Sequence, residues 1–234
     1  MAEASRPPDL LRRPKRQTIC GLCFSPFSGA NPRTDDHVLP RNWFDDDPPP
    51  NLPTWDVCHP CQQDLSPREE RLVNTLASTY SYHPEALQQV VARTRRSRRV
   101  APILRTDFVR APGGVLVRAP IKRPRQVDVD RVFRKVTRGL FVWRHGTQQA
   151  DVPAAARILG IDDLTNLSNT HAVGRRVPIQ RLGRNVWWIH DSDAHSSDGI
   201  WIFMLFGAVG VGVWSGSLVR EAVRPAAGVA VTES

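Results

Sequence analysis

Apolar and polar positions alternate with two different periods along this chain. After Ser66, Pro67, Arg68 and Glu69, the apolar residues Leu72, Val73, Leu76 and Ala77 recur at helical spacing. The serine reads as an N-cap, the proline as a first-turn residue, and the glutamate as the far half of a capping box. A further helix is expected from near Pro84, with Leu87, Val90 and Val91 on one face, running into Arg93, Arg95, Arg96, Arg98 and Arg99. Across 128–143, Val132, Phe133, Val136 and Leu140 form an apolar face, and Arg131, Arg134, Lys135 and Arg138 are expected outside it. A short helix is expected at 152–159. The period shortens elsewhere. Val109 and the valines at 115 and 117 flank Ala111-Pro112-Gly113-Gly114, which suggests a turn between two short strands. Segments 184–190 and 200–214 read as three strands, with Trp187, Trp188, Trp201 and Trp214 anchoring a small antiparallel sheet. The run 200–214 is shorter than the roughly 20 residues a membrane span requires. It is broken by Gly207, Gly210 and Gly212, so a buried hairpin is expected rather than an anchor.

The segment 18–66 follows neither period and holds the candidate chemistry. All four cysteines lie in it, as two Cys-x-x-Cys knuckles: Cys20 with Cys23, and Cys58 with Cys61. Thiolates are the soft ligands zinc prefers, and four of them close a tetrahedral structural site. The alternative is two disulfides or four free thiols. The N-terminus lacks the apolar core of a secretory signal, so a reducing cytoplasm is expected, and that favours metal over disulfide. Between the knuckles stand Asp35, Asp36 and His37, then Val38-Leu39-Pro40. A carboxylate beside an imidazole, on a stapled loop, can bind a hard cation and accept a proton. The bland alternative is a solvated acidic turn with a packing histidine. The acidic string at 45–47, followed by three prolines, reads as an exposed turn.

Cys-x-x-Cys, Asp-His-Val-Leu-Pro and Cys-x-x-Cys in this order resemble the motif of the HNH (His-Me finger) nuclease family. Residues 134–146 and the Trp-rich run 200–214 are loosely similar to later parts of such bacterial proteins. The resemblance implies an α+β fold: a zinc-stapled ββα-metal module with following helices, plus a small C-terminal antiparallel sheet packed on a helix. It implies a structural zinc on Cys20, Cys23, Cys58 and Cys61, and a catalytic Mg2+ or Mn2+. Carried over by residue, His37 is the general base and Asp36 a divalent-metal ligand. Gln62, directly after the last cysteine, stands where the second ligand is normally histidine or asparagine, with Asp64 as a nearby substitute. Asn51 stands nearest the motif's middle asparagine, and His59, inside the second knuckle, is expected to face solvent.

Charge adds a partner. Lys plus Arg number 32 against 23 acidic residues, a net charge of +9, which favours polyanions through phosphate contacts and counterion release. Nucleic acid, DNA first, is the expected partner, with no membrane. Arg93, Arg95, Arg96, Arg98 and Arg99 are the expected phosphate-contacting strip, a solvated helix end being the alternative. Five segments are expected: a disordered basic arm at 1–16, the zinc module with basic helices at 17–100, a linker at 101–126, a C-terminal α+β region at 127–222, and a disordered tail at 223–234. Three functions compete: a metal-dependent endonuclease, a catalytically decayed zinc-stapled nucleic-acid binder, and a protein-docking module built on the Trp-rich hairpin.

Overall fold

A hairpin followed by a long helix carries the cysteine-rich segment. Strand β1 (Arg33–His37) pairs antiparallel with β2 (Thr54–Cys58), Asp36 lying opposite Trp55 and His37 opposite Thr54. β1 is polar throughout, and only Asp36 in it is buried. Its strand conformation comes from β2, whose Trp55 and Val57 are core residues. Helix α1 (His59–Tyr80) follows β2 without a loop. The fold is described here from a computed structural model, which places residues 16–44, 48–50, 52–80, 106–110, 116–120, 124–146, 154–159, 179–182, 186–191, 198–205 and 209–219. Asn51, the acids at 45–47, the helix expected from Pro84 with its five arginines, the first 15 residues of the arm and the tail at 223–234 lie outside these residues.

The capping signal at Ser66 does not start a helix. α1 begins seven residues earlier, at the knuckle, and Pro67 lies inside it. Pro67 removes one backbone donor, but Gln63 and Ser66 beside it are exposed, so water can serve the carbonyl left free.

Helix α2 (Gln126–His145) ends on Gly146, whose left-handed backbone (φ 70°) lets its N–H reach the Val142 carbonyl at 2.7 Å. Val129, Val132, Phe133, Val136 and Leu140 are buried, as their spacing requires. Phe133 joins the two halves of the chain: its ring lies 5.4 Å from Trp43 on one side and 5.3 Å from Phe203 on the other. One core cluster therefore runs from the hairpin through α2 into the C-terminal sheet. The expectation that Lys135 and Arg138 stay outside fails. Both are buried, Lys135 at 1% exposure, and each is held by partners. Arg138 donates to the Leu22 carbonyl at 3.1 Å and lies 5.1 Å over the Phe24 ring, tying α2 to the first knuckle. α2 is also fixed to α1 by Asp128, which accepts from Arg68 and Arg71 at 3.1 Å.

Strands β3 (Thr106–Arg110) and β4 (Leu116–Pro120) form the expected separate hairpin. Five more make an antiparallel sheet in the order β5-β9-β8-β7-β6: β5 (Ala154–Leu159), β6 (Gln180–Leu182), β7 (Val186–Asp191), β8 (Gly199–Leu205) and β9 (Val209–Ser215). The helix expected at 152–159 is thus a strand. Its alanine run suits a helix, but α2 supplies what an edge strand needs: Gln126 donates to the Ala156 carbonyl at 2.6 Å and Asp130 accepts from the Ala156 N–H at 2.9 Å. The three strands expected between 184 and 214 are β7, β8 and β9. β8 and β9 are buried along nearly their whole length, with Trp201, Phe203, Val211 and Val213 in the same core as α2. The hairpin is therefore no open docking surface, and the protein-docking reading loses its support. The result is a mixed α+β protein. No described helix is long and apolar enough to cross a membrane.

Candidate metal centre and adjoining cavity

The two knuckles meet. Hairpin pairing puts Cys58 at the end of β2, α1 turns Cys61 back beside it, and the loop before β1 brings Cys20 and Cys23. The four sulfurs lie within 4.8 Å of one another, and Cys23 and Cys58 are 3.8 Å apart. Tetrahedral zinc with Zn–S near 2.3 Å needs sulfur–sulfur edges of about 3.8 Å. The Leu22 and Cys58 amides donate to Cys20 Sγ at 3.3 and 3.2 Å, as a thiolate requires. Burial pushes the Cys20 and Cys61 thiols up, and neighbouring thiols push Cys61 further. At Cys23 desolvation is outweighed by hydrogen bonds from Ser25, Cys20 and Cys61, which bring it to about 6. Four thiolates this close repel unless a cation sits among them. Donor set, spacing and amide contacts all fit a structural zinc, whose part is to hold the hairpin, the helix and the first knuckle together. No disulfide joins any two of the four cysteines. Phe24, directly after the first knuckle, has a positive φ of 59°, the turn that lets its N–H reach the Cys20 carbonyl at 3.0 Å.

Asp36 and His37 end β1. His37 walls a cavity of about 410 Å3 together with Asp36, Arg41, Asn42, Glu69 and Asn74. A neighbouring cavity of about 220 Å3 is lined by Asp36, Gln62, Gln63, Ser66 and Glu69. Asp36, His37 and Gln62 therefore converge on two cavities that share the walls Asp36, Ser66 and Glu69, and no cysteine lines either one. Burial and then the Arg41 charge lower the His37 pKa, with Asp36 opposing, which favours the uncharged ring. Its Nδ1 and the Asn42 Oδ1 are buried with no hydrogen-bond partner among the described residues. His59 is exposed, as expected. Asp64 is exposed, pairs with Arg68 at 2.8 Å and borders neither cavity, so it does not replace Gln62.

Two residues of this site escaped the sequence. Lys135 from α2 places Nζ 2.6 Å from Asp36 Oδ2 and 2.5 Å from Glu69 Oε1. The contact to Glu69 is a hydrogen bond; that to Asp36 is an ion pair without hydrogen-bond alignment. The sequence carried a faint signal for it. Asp128, Lys135, Gly139 and Val142 fall at spacings of seven, four and three, a second buried stripe beside the apolar one.

A divalent cation on Asp36 fits this arrangement poorly. The carboxylate already faces an ammonium. Among the described residues, the four cysteines are the only group of three or more histidine, cysteine or acidic side chains close enough to hold a metal.

Compared with protein-family models, curated proteins and solved structures, the chain matches none. Fold and site define an α+β protein with a four-cysteine centre able to bind zinc, and a cavity walled by His37 and by the Asp36 and Glu69 carboxylates, which flank the buried Lys135.

Proposed function

We propose that the protein is an HNH-like endonuclease that hydrolyses nucleic-acid phosphodiester bonds, DNA being the expected substrate. The observation that carries this is His37: half-buried, its pKa lowered by burial, its Nδ1 unpartnered, on the wall of a cavity of about 410 Å3. Hydrolysis needs an oriented water and a base to take its proton. His37 is that base. Arg41 on the same wall supplies a guanidinium to phosphate oxygens, and Asn42 offers an amide to orient the water or the ester. Asp36, on the same wall, pairs with Lys135. A third cavity, of about 330 Å3, has Arg131, Arg134 and Arg138 in its wall, with Asp64 the one acid, beside Cys23 and Cys61. Arg131 is exposed there and Arg134 half-buried, a basic wall that suits a polyanion backbone. The order of hairpin, then helix, and the Asp-His-Val-Leu-Pro string further support the reading.

The test is nicking of supercoiled plasmid by the zinc-loaded protein, wild type against His37→Ala. Loss of a general base slows such chemistry by about 100-fold or more. Equal nicking by both removes His37 from the mechanism.

The engagement of Asp36 by Lys135, with Gln62 as the neighbouring amide, favours one other reading: a zinc-stapled nucleic-acid binder that does not cut. It leads one to expect DNA affinity that falls steeply with salt, without nicking by wild type.

A further inference from the structure

Three side chains from three elements meet where β1, α1 and α2 touch. Asp36 and Glu69 flank Lys135, whose side chain is 1% exposed, against 12% and 13% for the two carboxylates. The meeting depends on Gly139, one helical turn beyond Lys135 on the same face. A Cβ on Gly139 would fall 2.7 Å from Val38 Cγ1, so only a glycine lets α2 lie this close to the end of β1. The rest of the pocket carries oxygen: Gln62, Gln63 and Ser66 line the cavity of about 220 Å3 that Asp36 and Glu69 share. Two carboxylates, amides and a hydroxyl are a donor set for a hard cation. Between the two carboxylates sits an ammonium, 2.6 Å from Asp36 Oδ2 and 2.5 Å from Glu69 Oε1; Ca2+ holds oxygen at about 2.3–2.6 Å, and Mg2+ would draw the same oxygens in to about 2.0–2.1 Å.

We propose that Lys135 is a built-in cation filling a divalent-metal position between Asp36 and Glu69, so that this site excludes Mg2+ and Mn2+ and works without them. The consequence for cutting rests on the phosphodiester reading above; the competition between ammonium and metal does not. Removing the ammonium leaves two facing carboxylates and uncovers a latent metal site. Lys135 touches no substrate in this scheme. It is a positioning residue that holds Asp36 beside His37.

The experiment is a Mn2+ titration of the zinc-loaded full chain, read as the loss of the free Mn2+ electron paramagnetic resonance signal. Wild type, Lys135→Met, and Lys135→Met with Glu69→Gln are compared, with zinc content and circular dichroism checked for each. Wild type is expected to leave Mn2+ free. Lys135→Met is expected to take up one Mn2+ per chain, about tenfold or more tighter than wild type, because hard-cation affinity follows ligand charge. Glu69→Gln should abolish that gain. Uptake by wild type that Glu69→Gln removes would overturn the proposal, as would a folded, zinc-loaded Lys135→Met that gains no Mn2+. Should Lys135→Met fail to fold, wild type and Glu69→Gln alone decide: no uptake by wild type supports the proposal, and uptake lost in Glu69→Gln overturns it. Plasmid nicking in divalent-free buffer separates the two levels. Nicking by wild type without added metal supports the built-in cation, and nicking that demands Mg2+ or Mn2+ contradicts it. No nicking under any condition counts against the phosphodiester reading, while the Mn2+ result still decides the proposal.

Discussion

The four thiols and the Asp36–Lys135–Glu69 cluster solve one problem in two ways. Each gathers groups of like charge that would repel if left alone, and each resolves the repulsion with a cation. At the knuckles the donors are soft and come in pairs three residues apart, and the cation must come from outside. At the second cluster the donors are hard carboxylates, and the cation is a side chain 66 residues along the chain from one of them. A zinc among the thiols would place metal dependence in the scaffold, while the charge of Asp36 and Glu69 is met within the chain.

Removing the external cation should break this comparison most severely. Cys58→Ser, or stripping with a strong chelator, should abolish cooperative unfolding of the hairpin–helix region, since zinc contributes about 10–16 kcal/mol to small zinc-finger domains. Circular dichroism and limited proteolysis, with zinc content measured alongside, check it. A cooperative transition that persists in the metal-free chain would make the thiol cluster incidental. Removing the internal cation should cost less. Lys135→Ala should destabilise by about 3–5 kcal/mol in urea titration, because it strands two carboxylates. Adding Asp36→Asn and Glu69→Gln should return part of that loss.

How far each cluster could be read from the chain follows from the same contrast. The cysteine centre was legible because a knuckle is local: two sulfurs three residues apart announce themselves whatever surrounds them. The apolar faces of α2 and the strands β7, β8 and β9 were legible for the same reason. Lys135 was not. Helical spacing places it beside Val136, and a lysine there is normally solvated. Its burial is decided by Asp36 and Glu69, which only tertiary packing brings close. The start of α1 was misread because Ser66 and Pro67 satisfy a local capping rule, while the helix is launched by the knuckle before them. β5 was misread because alanine propensity yields to pairing with β9 and to Gln126 and Asp130.

Two smaller effects sharpen the picture. Gly139→Ala should cost about 1–3 kcal/mol by pushing α2 off Val38. If Lys135 depends on that approach, Gly139→Ala and Lys135→Ala should be non-additive in a double-mutant cycle. The C-terminal sheet offers a control that belongs to neither cluster. His190 is buried, stacks on Trp201 with ring centroids 3.4 Å apart, and lies with Nδ1 3.3 Å from an Arg144 guanidinium nitrogen. Burial, then the Arg144 charge, then His145, push its pKa down to about 2. The unfolded chain takes up this proton below a pH of about 6.5, and the folded chain does not until about 2. Stability should therefore fall as pH drops below about 6.5, by at most about 1.4 kcal/mol per pH unit, and return as pH rises. Urea midpoints between neutral and mildly acidic pH, at constant zinc content, should be flatter for His190→Gln than for wild type. An identical slope in both would assign the acid sensitivity elsewhere.

The scaffold on which His37 stands is tested most directly by zinc K-edge X-ray absorption on the purified protein, with the metal counted per chain. One zinc per chain with four sulfur neighbours at about 2.3 Å is the expected result. A protein free of zinc, or a zinc with nitrogen or oxygen in its first shell, would contradict the four-thiolate centre.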